Sequence, residues 1–121
     1  MSPAGDTILV VEDDPDFRDA VTTLLRIEGY LAIPAEDGQV ALNLLEVGAR
    51  PDVILLDLMM PRLNGFDFLA RTRQSPQHAN IPIIVVSANQ GYEAEDLGVF
   101  EIVRKPAMAD DLISAIERAA A

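Results

Sequence analysis

The sequence predicts an α/β protein in which a parallel sheet is covered by helices on both faces. Five short aliphatic runs recur along its 121 residues, and stretches with helical periodicity lie between them. Four of the runs are rich in Ile and Val without strict apolar–polar alternation, which is typical of parallel strands buried on both faces. Because strand and helix alternate along the chain, we expect a doubly wound sheet, and the length indicates one domain spanning residues 1–121, with residues 1–6 flexible.

The predicted strands are short, and the second one is expected at an edge of the sheet. Pro34 is interpreted as the end of that strand, because proline lacks the N–H that a central strand needs. The five strands are predicted from Ile8 to Val11, Leu31 to Ile33, Val53 to Leu56, Ile83 to Val86 and Ile102 to Val103.

Helix signals occupy the intervals between the strands. Asp14 is placed to cap the first helix, Pro15 to begin it and Gly29 to end it. The inward residues are predicted as Phe17, Val21, Leu24 and Leu25 in the first helix; Val40, Leu44 and Leu45 in the second, from about Glu36 to Val47 and closed by Gly48; Phe66, Leu69 and Ala70 in the third, from Gly65; and Leu112, Ile113 and Ile116 in the last, after Pro106.

Composition excludes several classes of function. Nine basic and twenty acidic residues give a net charge of −11, which disfavours direct contact with nucleic acid or anionic lipid. The absence of cysteine rules out disulfides, thiolate zinc sites and thiol catalysis. The apolar runs are too short to span a bilayer, and the first residues show no signal-peptide pattern. We therefore expect a cytoplasmic protein with no membrane insertion and no direct contact with nucleic acid.

Reactive side chains follow the strands at one edge of the predicted sheet. Parallel strands end on the same edge, and the ligand sites of open α/β sheets form there. If the first and third strands are neighbours, their terminal carboxylates converge. The residues concerned are Glu12, Asp13 and Asp14 after the first strand, Asp57 after the third, Ser87 after the fourth, and Arg104 and Lys105 after the fifth.

This group of residues suits metal-assisted phosphoryl transfer to a carboxylate. Converging carboxylates repel one another, and a divalent cation such as Mg²⁺ relieves the repulsion. Lys105 adds a fixed positive charge and Ser87 adds a hydroxyl donor, so that metal, ammonium and hydroxyl can each take one phosphoryl oxygen. Each residue alone has a simpler interpretation as a cap, turn or surface residue. Their joint placement on four strand ends carries the prediction.

Other polar or unusual residues are assigned structural roles. Asp14 is interpreted as a helix cap, and His78 as a surface residue in the polar loop SPQHAN. Met59 and Met60 are predicted to be packing residues, although the Met59 carbonyl could also face a metal. The acidic run of Glu93, Glu95 and Asp96 indicates a solvated helix face.

The chain resembles bacterial response-regulator receiver domains, including those of chemotaxis regulators, in four motifs that follow the family's order: ILVVEDD, ILLDLMMPRLNG, IIVVSA and VRKP. The resemblance covers roughly Thr7 to Ala119. It implies a flavodoxin-like five-stranded sheet of order 2-1-3-4-5 and no output domain within this chain. It also implies a phosphorylation-dependent switch of a two-component system or phosphorelay, not an enzyme. The implied partners are a histidine kinase or histidine phosphotransfer protein, and a downstream protein target.

The resemblance further implies roles for individual residues. Asp13 is expected to be the more direct metal ligand of the acidic pair, and Lys105–Pro106 is expected to be a cis peptide. The implied roles are phosphoacceptor for Asp57, switch hydroxyl for Ser87 and phosphoryl contact for Lys105, with Mg²⁺ held by Glu12, Asp13, Asp57 and the backbone carbonyl of Met59.

Two departures from the family pattern concern the switching surface. Ile102 stands where the family usually has an aromatic residue coupled to the switch hydroxyl. Phe100 would share its strand face but does not match its position. The interval from Ser87 to Lys105 is shorter than usual by about one helical turn, which leaves room only for a short fourth helix.

Three alternatives stay open. A degenerate receiver that serves only as a protein–protein interaction module would fit Ile102 and the short fourth helix. An aspartate-nucleophile phosphatase would need a second acid two residues after Asp57, where Met59 stands. A flavodoxin-like nucleotide binder would need a Gly- or Ser/Thr-rich loop after the first strand, where three acids would instead repel phosphate.

Overall fold

The computed structural model describes residues 6–58, 60, 64–88, 91–106 and 109–121. Within these residues a five-stranded parallel sheet has the order β2-β1-β3-β4-β5, which confirms the predicted fold and strand order. No helix among them is long and apolar enough to cross a membrane. The elements are β1 Thr7–Val11, α1 Pro15–Ile27, β2 Leu31–Ala35, α2 Gly38–Glu46, β3 Val53–Leu56, α3 Gly65–Gln74, β4 Ile83–Ser87, α4 Ala94–Leu97, β5 Glu101–Arg104 and α5 Ala109–Ala120.

Apolar side chains fill both faces of the sheet. Because side chains alternate along a strand, Ile8 and Val10 of β1 pack with α1 and α5, whereas Leu9 and Val11 pack with α2 and α3. All four residues of β3 are buried. The central strands are therefore held from two sides, and their carboxyl ends form a fixed edge.

Helix α1 begins as the sequence predicts. The Asp14 side chain accepts hydrogen bonds from the N–H groups of Asp16 and Phe17, at 3.0 and 3.3 Å, and so satisfies donors that the first turn leaves open. Gly29 follows the end of the helix with a φ of 95°, a conformation that favours glycine. Cap and stop together fix α1 directly after the acidic segment.

Helix α2 starts later than predicted, and the face that it buries is rotated from the predicted one. The Asp37 side chain caps it by accepting the Val40 N–H at 2.9 Å. The 3.6-residue period then continues from Gly38, and the buried positions are Gly38, Ala41, Leu42 and Leu45. Val40 and Leu44, which were predicted to face inward, pack at the margin of the core.

Helix α3 begins against the end of β3, at Gly65 as predicted. The Gly65 N–H donates to the Leu58 carbonyl at 2.9 Å. A Cβ at Gly65 would lie 2.5 Å from Leu58 Cα and 2.8 Å from the Asp57 carbonyl oxygen, so only glycine fits. The helix buries Phe68, Leu69 and Thr72. Ala70 is exposed, so its predicted inward position is wrong, and Phe66 is only partly buried.

We expect Gly65→Ala to lower the free energy of unfolding by about 1–3 kcal/mol, because overpacking outweighs the gain of about 1 kcal/mol in helix propensity. Chemical denaturation measures the loss. Gly48→Ala is the comparison, since a Cβ there meets nothing within 4 Å although φ is 110°. The Gly48→Ala variant therefore measures the cost of backbone strain without a steric clash of the new Cβ. Unchanged stability in Gly65→Ala would show that the end of β3 moves freely away from α3.

Two local predictions are corrected. Strand β2 runs through Pro34 to Ala35, so Pro34 lies inside the edge strand and does not end it. An edge strand tolerates a residue without an N–H because one side is unpaired. His78 is buried, at 8 % exposure, and is not a surface residue. A turn in which its N–H donates to the Ser75 carbonyl at 3.0 Å places it inside, between the exposed residues Gln77 and Ala79.

The fourth helix is short, as predicted. Helix α4 is a single turn, and its acidic residues Glu95 and Asp96 are exposed, which agrees with a solvated face. Residues 1–5 lie outside the described residues, and the Asp6 carbonyl accepts the Leu31 N–H at 2.9 Å. Met60 is buried as a packing residue.

Candidate functional site

Three carboxylates meet at the carboxyl ends of β1 and β3. The two strands pair with Val11 opposite Leu56, so Glu12 and Asp57 leave the sheet at the same level. Carboxylate oxygens of Glu12, Asp13 and Asp57 all lie within 4.8 Å of one another. Glu12 and Asp57 are only 3 % and 8 % exposed. The structure thus brings together the three acids that the sequence placed on one edge.

Burial raises the pKa of Glu12 from 4.5 to about 7, and a hydrogen bond with Asp57 and the charge of Asp57 act in the same direction. The Asp14 N–H, 3.2 Å from Glu12 Oε2, and the Lys105 ammonium oppose this rise. Negative charge is therefore in excess at this point of the molecule. A divalent cation would relieve it, so the carboxylates fit a Mg²⁺ ion. The Met59 carbonyl, a further predicted ligand, lies outside the described residues.

Lys105 is the only lysine in the sequence, and it reaches across the sheet edge to the acids. Its Nζ donates to Glu12 Oε1 at 3.1 Å and lies 4.5 Å from the centroid of the Phe17 ring. An aromatic face and a carboxylate together hold the ammonium group in one place. The peptide between Lys105 and Pro106 is cis, as predicted.

Ser87 ends β4, which lies between the strand that precedes Asp57 and the strand that precedes Lys105. It is 1 % exposed, and its carbonyl accepts the Lys105 N–H at 2.9 Å. In the β4–β5 register Ser87 stands opposite Arg104. The hydroxyl-bearing residue and the lysine are therefore joined through the backbone at the same sheet edge.

Sequence reasoning missed two residues that support the site. Phe17 was assigned only to the core stripe of α1, and its apolar spacing gave no sign of a contact with Lys105. The Arg18 guanidinium donates to the Glu12 carbonyl at 2.9 Å and approaches the Asp13 carbonyl at 3.5 Å. Arg18 is the first basic residue of the chain and follows an acidic segment closely, which is a signal that could have found it.

The parallel sheet, its strand order and the acidic cleft at its carboxyl edge define a receiver-like protein, and comparison with known proteins agrees. The profile of the response regulator receiver domain matches residues 8–117. The chain belongs to this family, whose members are signalling switches and not classical enzymes.

Similar curated proteins include transcriptional regulators. CpxR of Escherichia coli strain K12 is 37% identical over 114 residues, which are 90% of this chain and 47% of CpxR. The DNA-binding dual master transcriptional regulator RpaA of Synechocystis sp. is 31% identical over 113 residues, 90% of this chain and 46% of RpaA. The chain thus spans about half the length of these curated relatives.

Similar solved structures are receiver domains of two kinds of signalling protein. The receiver domain of the Francisella response regulator 1452 superposes with a TM-score of 0.87 at 30% identity, covering 96% of this chain and 97% of that one. The receiver domain of the sensor histidine kinase PA1611 from Pseudomonas aeruginosa PAO1 gives 0.87 at 29% identity, covering 97% and 98%, and has a magnesium ion coordinated in its active-site cleft. The chain is thus a receiver domain of two-component signalling.

Proposed function

We propose that this receiver domain switches state when Asp57 accepts a phosphoryl group from a phosphohistidine of a histidine kinase or histidine phosphotransfer protein. The observation that supports the proposal is the convergence of Asp57 with Glu12 and Asp13, with Lys105 bonded to the cluster. Glu12 and Asp57 are buried, and buried acids held this close to each other disfavour the folded state. A role in packing alone gives no reason to keep them together.

Glu12, Asp13 and Asp57 would hold Mg²⁺, with the Met59 carbonyl as a further predicted ligand. When bound, the ion supplies positive charge against the phosphoryl oxygens. A carboxylate oxygen of Asp57 attacks phosphorus, the P–N bond to the donor imidazole breaks, and its electron pair returns to the imidazole nitrogen. The Lys105 ammonium and the Ser87 hydroxyl each donate to a phosphoryl oxygen. Water later cleaves the acyl phosphate and regenerates the carboxylate, so the chain acts only on itself.

The output of the switch is proposed to be contact with a downstream protein. RpaA is described as DNA-binding, but the net charge of −11 on the present chain opposes such contact by these residues. Direct contact with nucleic acid is therefore not proposed for this chain, and its cytoplasmic location stays a prediction.

The test is the intact mass of the protein after incubation with acetyl phosphate and Mg²⁺. We expect one added phosphoryl group, which is absent after chelation of the metal and absent in Asp57→Asn. Asp19→Asn removes an exposed carboxylate from α1 and should form the adduct normally. A folded wild type that binds Mg²⁺ but forms no adduct would instead favour the degenerate interaction module.

A further inference from the structure

Helix α4 cannot hold its position by its own stability. It is one turn long and none of its four residues is buried. Isolated helices of this length do not form, because one turn does not offset the cost of nucleation. Leu97 packs at the margin of the core, so the position of α4 depends on this one side chain and on contacts at the two ends of the helix. Such weakly held segments are the ones that open or move at low cost in free energy.

Two arginines contact the two ends of α4. At its end, Arg73 of α3 donates to the Gly98 carbonyl at 2.8 Å. At its start, Arg104 of β5 donates to the Tyr92 carbonyl at 2.7 Å and lies 3.5 Å from Glu93 Oε1. Glu93 directly precedes the helix, and its N–H donates to the Asp96 side chain at 3.0 Å. One guanidinium thus holds the segment from which α4 begins.

Arg104 also stands next to the phosphorylation site. It faces Ser87 in the sheet register and directly precedes Lys105, whose N–H is bonded to the Ser87 carbonyl. A shift of either residue toward a phosphoryl group must therefore act on the backbone of Arg104. By contrast, Ile102 packs against the core and offers no polar atom through which it could contact the Ser87 hydroxyl.

Tyr92 is held from a second side. Its ring meets the Phe66 ring edge-on, with centroids 5.4 Å apart. Phe66 follows Gly65, whose N–H bonds the Leu58 carbonyl just beyond Asp57. Tyr92 therefore lies between the start of α3, near the acceptor, and Arg104, near the switch residues.

We propose that Arg104 and Tyr92 link the phosphorylation site to α4 in this chain. They take the role of the aromatic side chain that is missing at Ile102. The inference rests on the proposed function. When Ser87 and Lys105 close on the phosphoryl group, Arg104 changes its hold on Tyr92 and Glu93. Helix α4 then detaches or shifts to a new position. The surface around it therefore differs between the phosphorylated and the unphosphorylated protein.

Hydrogen exchange of the full chain, with and without Mg²⁺ and beryllofluoride as a phosphoryl analogue, tests the link. In Arg104→Gln without ligand, we expect exchange across residues 91–99 to rise about tenfold, the effect of losing one charge-assisted hydrogen bond. The ligand-induced change in that segment should be lost, while protection near Asp57 persists. Arg104→Lys, which keeps a donor and a charge, should recover part of the response.

Arg118→Gln is the matched control. Arg118 also makes an ion pair, with Nη2 2.6 Å from Glu101 Oε2 of β5. Among the described residues, none of its hydrogen bonds or ion pairs involves the start of α4. A wild-type response in Arg104→Gln, or an equal loss in Arg118→Gln, would overturn the link and leave the proposed function intact. A wild type without protection near Asp57 in the presence of ligand would overturn both.

Discussion

Lys105→Met is expected to slow formation of the Asp57 adduct by about 10²- to 10³-fold, because it removes a charged donor from the position where phosphoryl oxygens gather negative charge. The ammonium is already placed for this task by Glu12 Oε1 at 3.1 Å and by the Phe17 ring. The chain contains no other lysine that could substitute for it. The measurement is the rate of mass gain with acetyl phosphate at saturating Mg²⁺.

Two further variants separate charge from fold in this experiment. Lys105→Arg keeps the charge and should lose less activity than Lys105→Met. Arg118→Met removes another ion-paired cation, on the solvent side of α5, and should leave the rate unchanged. A Lys105→Met rate within a few-fold of the wild type would contradict the assigned phosphoryl contact.

The second large effect is on stability as a function of pH. The pKa of Glu12 is about 7 in the folded protein against an ordinary 4.5, so the folded state binds this proton more tightly than the unfolded state. The resulting stabilisation is complete below pH 4.5 and is lost as the pH rises through 7. It amounts to about 3 kcal/mol of the free energy of unfolding in metal-free protein.

The comparison of wild type with Glu12→Gln reports on the Glu12–Asp57 pair, because groups away from these two carboxyls contribute equally to the stability of both proteins. The stability of the wild type relative to the variant should fall steadily from pH 5 to pH 8 in urea unfolding without metal. Mg²⁺ should restore it most strongly at the alkaline end, where the carboxylates are ionised. A difference that is flat with pH would show that Glu12 titrates as an ordinary surface acid.

The convergence of Glu12, Asp13 and Asp57 could be predicted because parallel strands end together. Once β1 and β3 are neighbours, their terminal acids have to meet, and strand ends are visible in the sequence as polar residues after aliphatic runs. The strand order itself rested on the resemblance to receiver domains, since spacing alone does not say which strands are neighbours. The inward faces of α2 and α3 were only partly correct, since Leu45 and Leu69 are buried as predicted whereas Val40, Leu44, Phe66 and Ala70 are not. In α2 the cap at Asp37 sets the phase of the helix.

Contacts made by long side chains were beyond the reach of sequence reasoning. Lys105 contacts Glu12 across 93 positions of the chain, and no residue near Lys105 in the sequence indicates which acid it will bind. Arg104 was noted only as one of the basic residues after the predicted fifth strand, yet its guanidinium turns back to the start of α4. His78 looked like a surface residue because its neighbours in sequence are polar, whereas the turn around it directs the ring inward.

The central claim is that Asp57, and no other group in the cleft, carries the phosphoryl group. Borohydride reduces an acyl phosphate of aspartate to homoserine, and peptide sequencing by mass spectrometry then locates the converted residue. After treatment with acetyl phosphate and Mg²⁺, we predict homoserine at position 57 alone, with no conversion when the metal is chelated. Reduction at Glu12 or Asp13 in its place, or a borohydride-resistant phosphate on Ser87, would contradict the account.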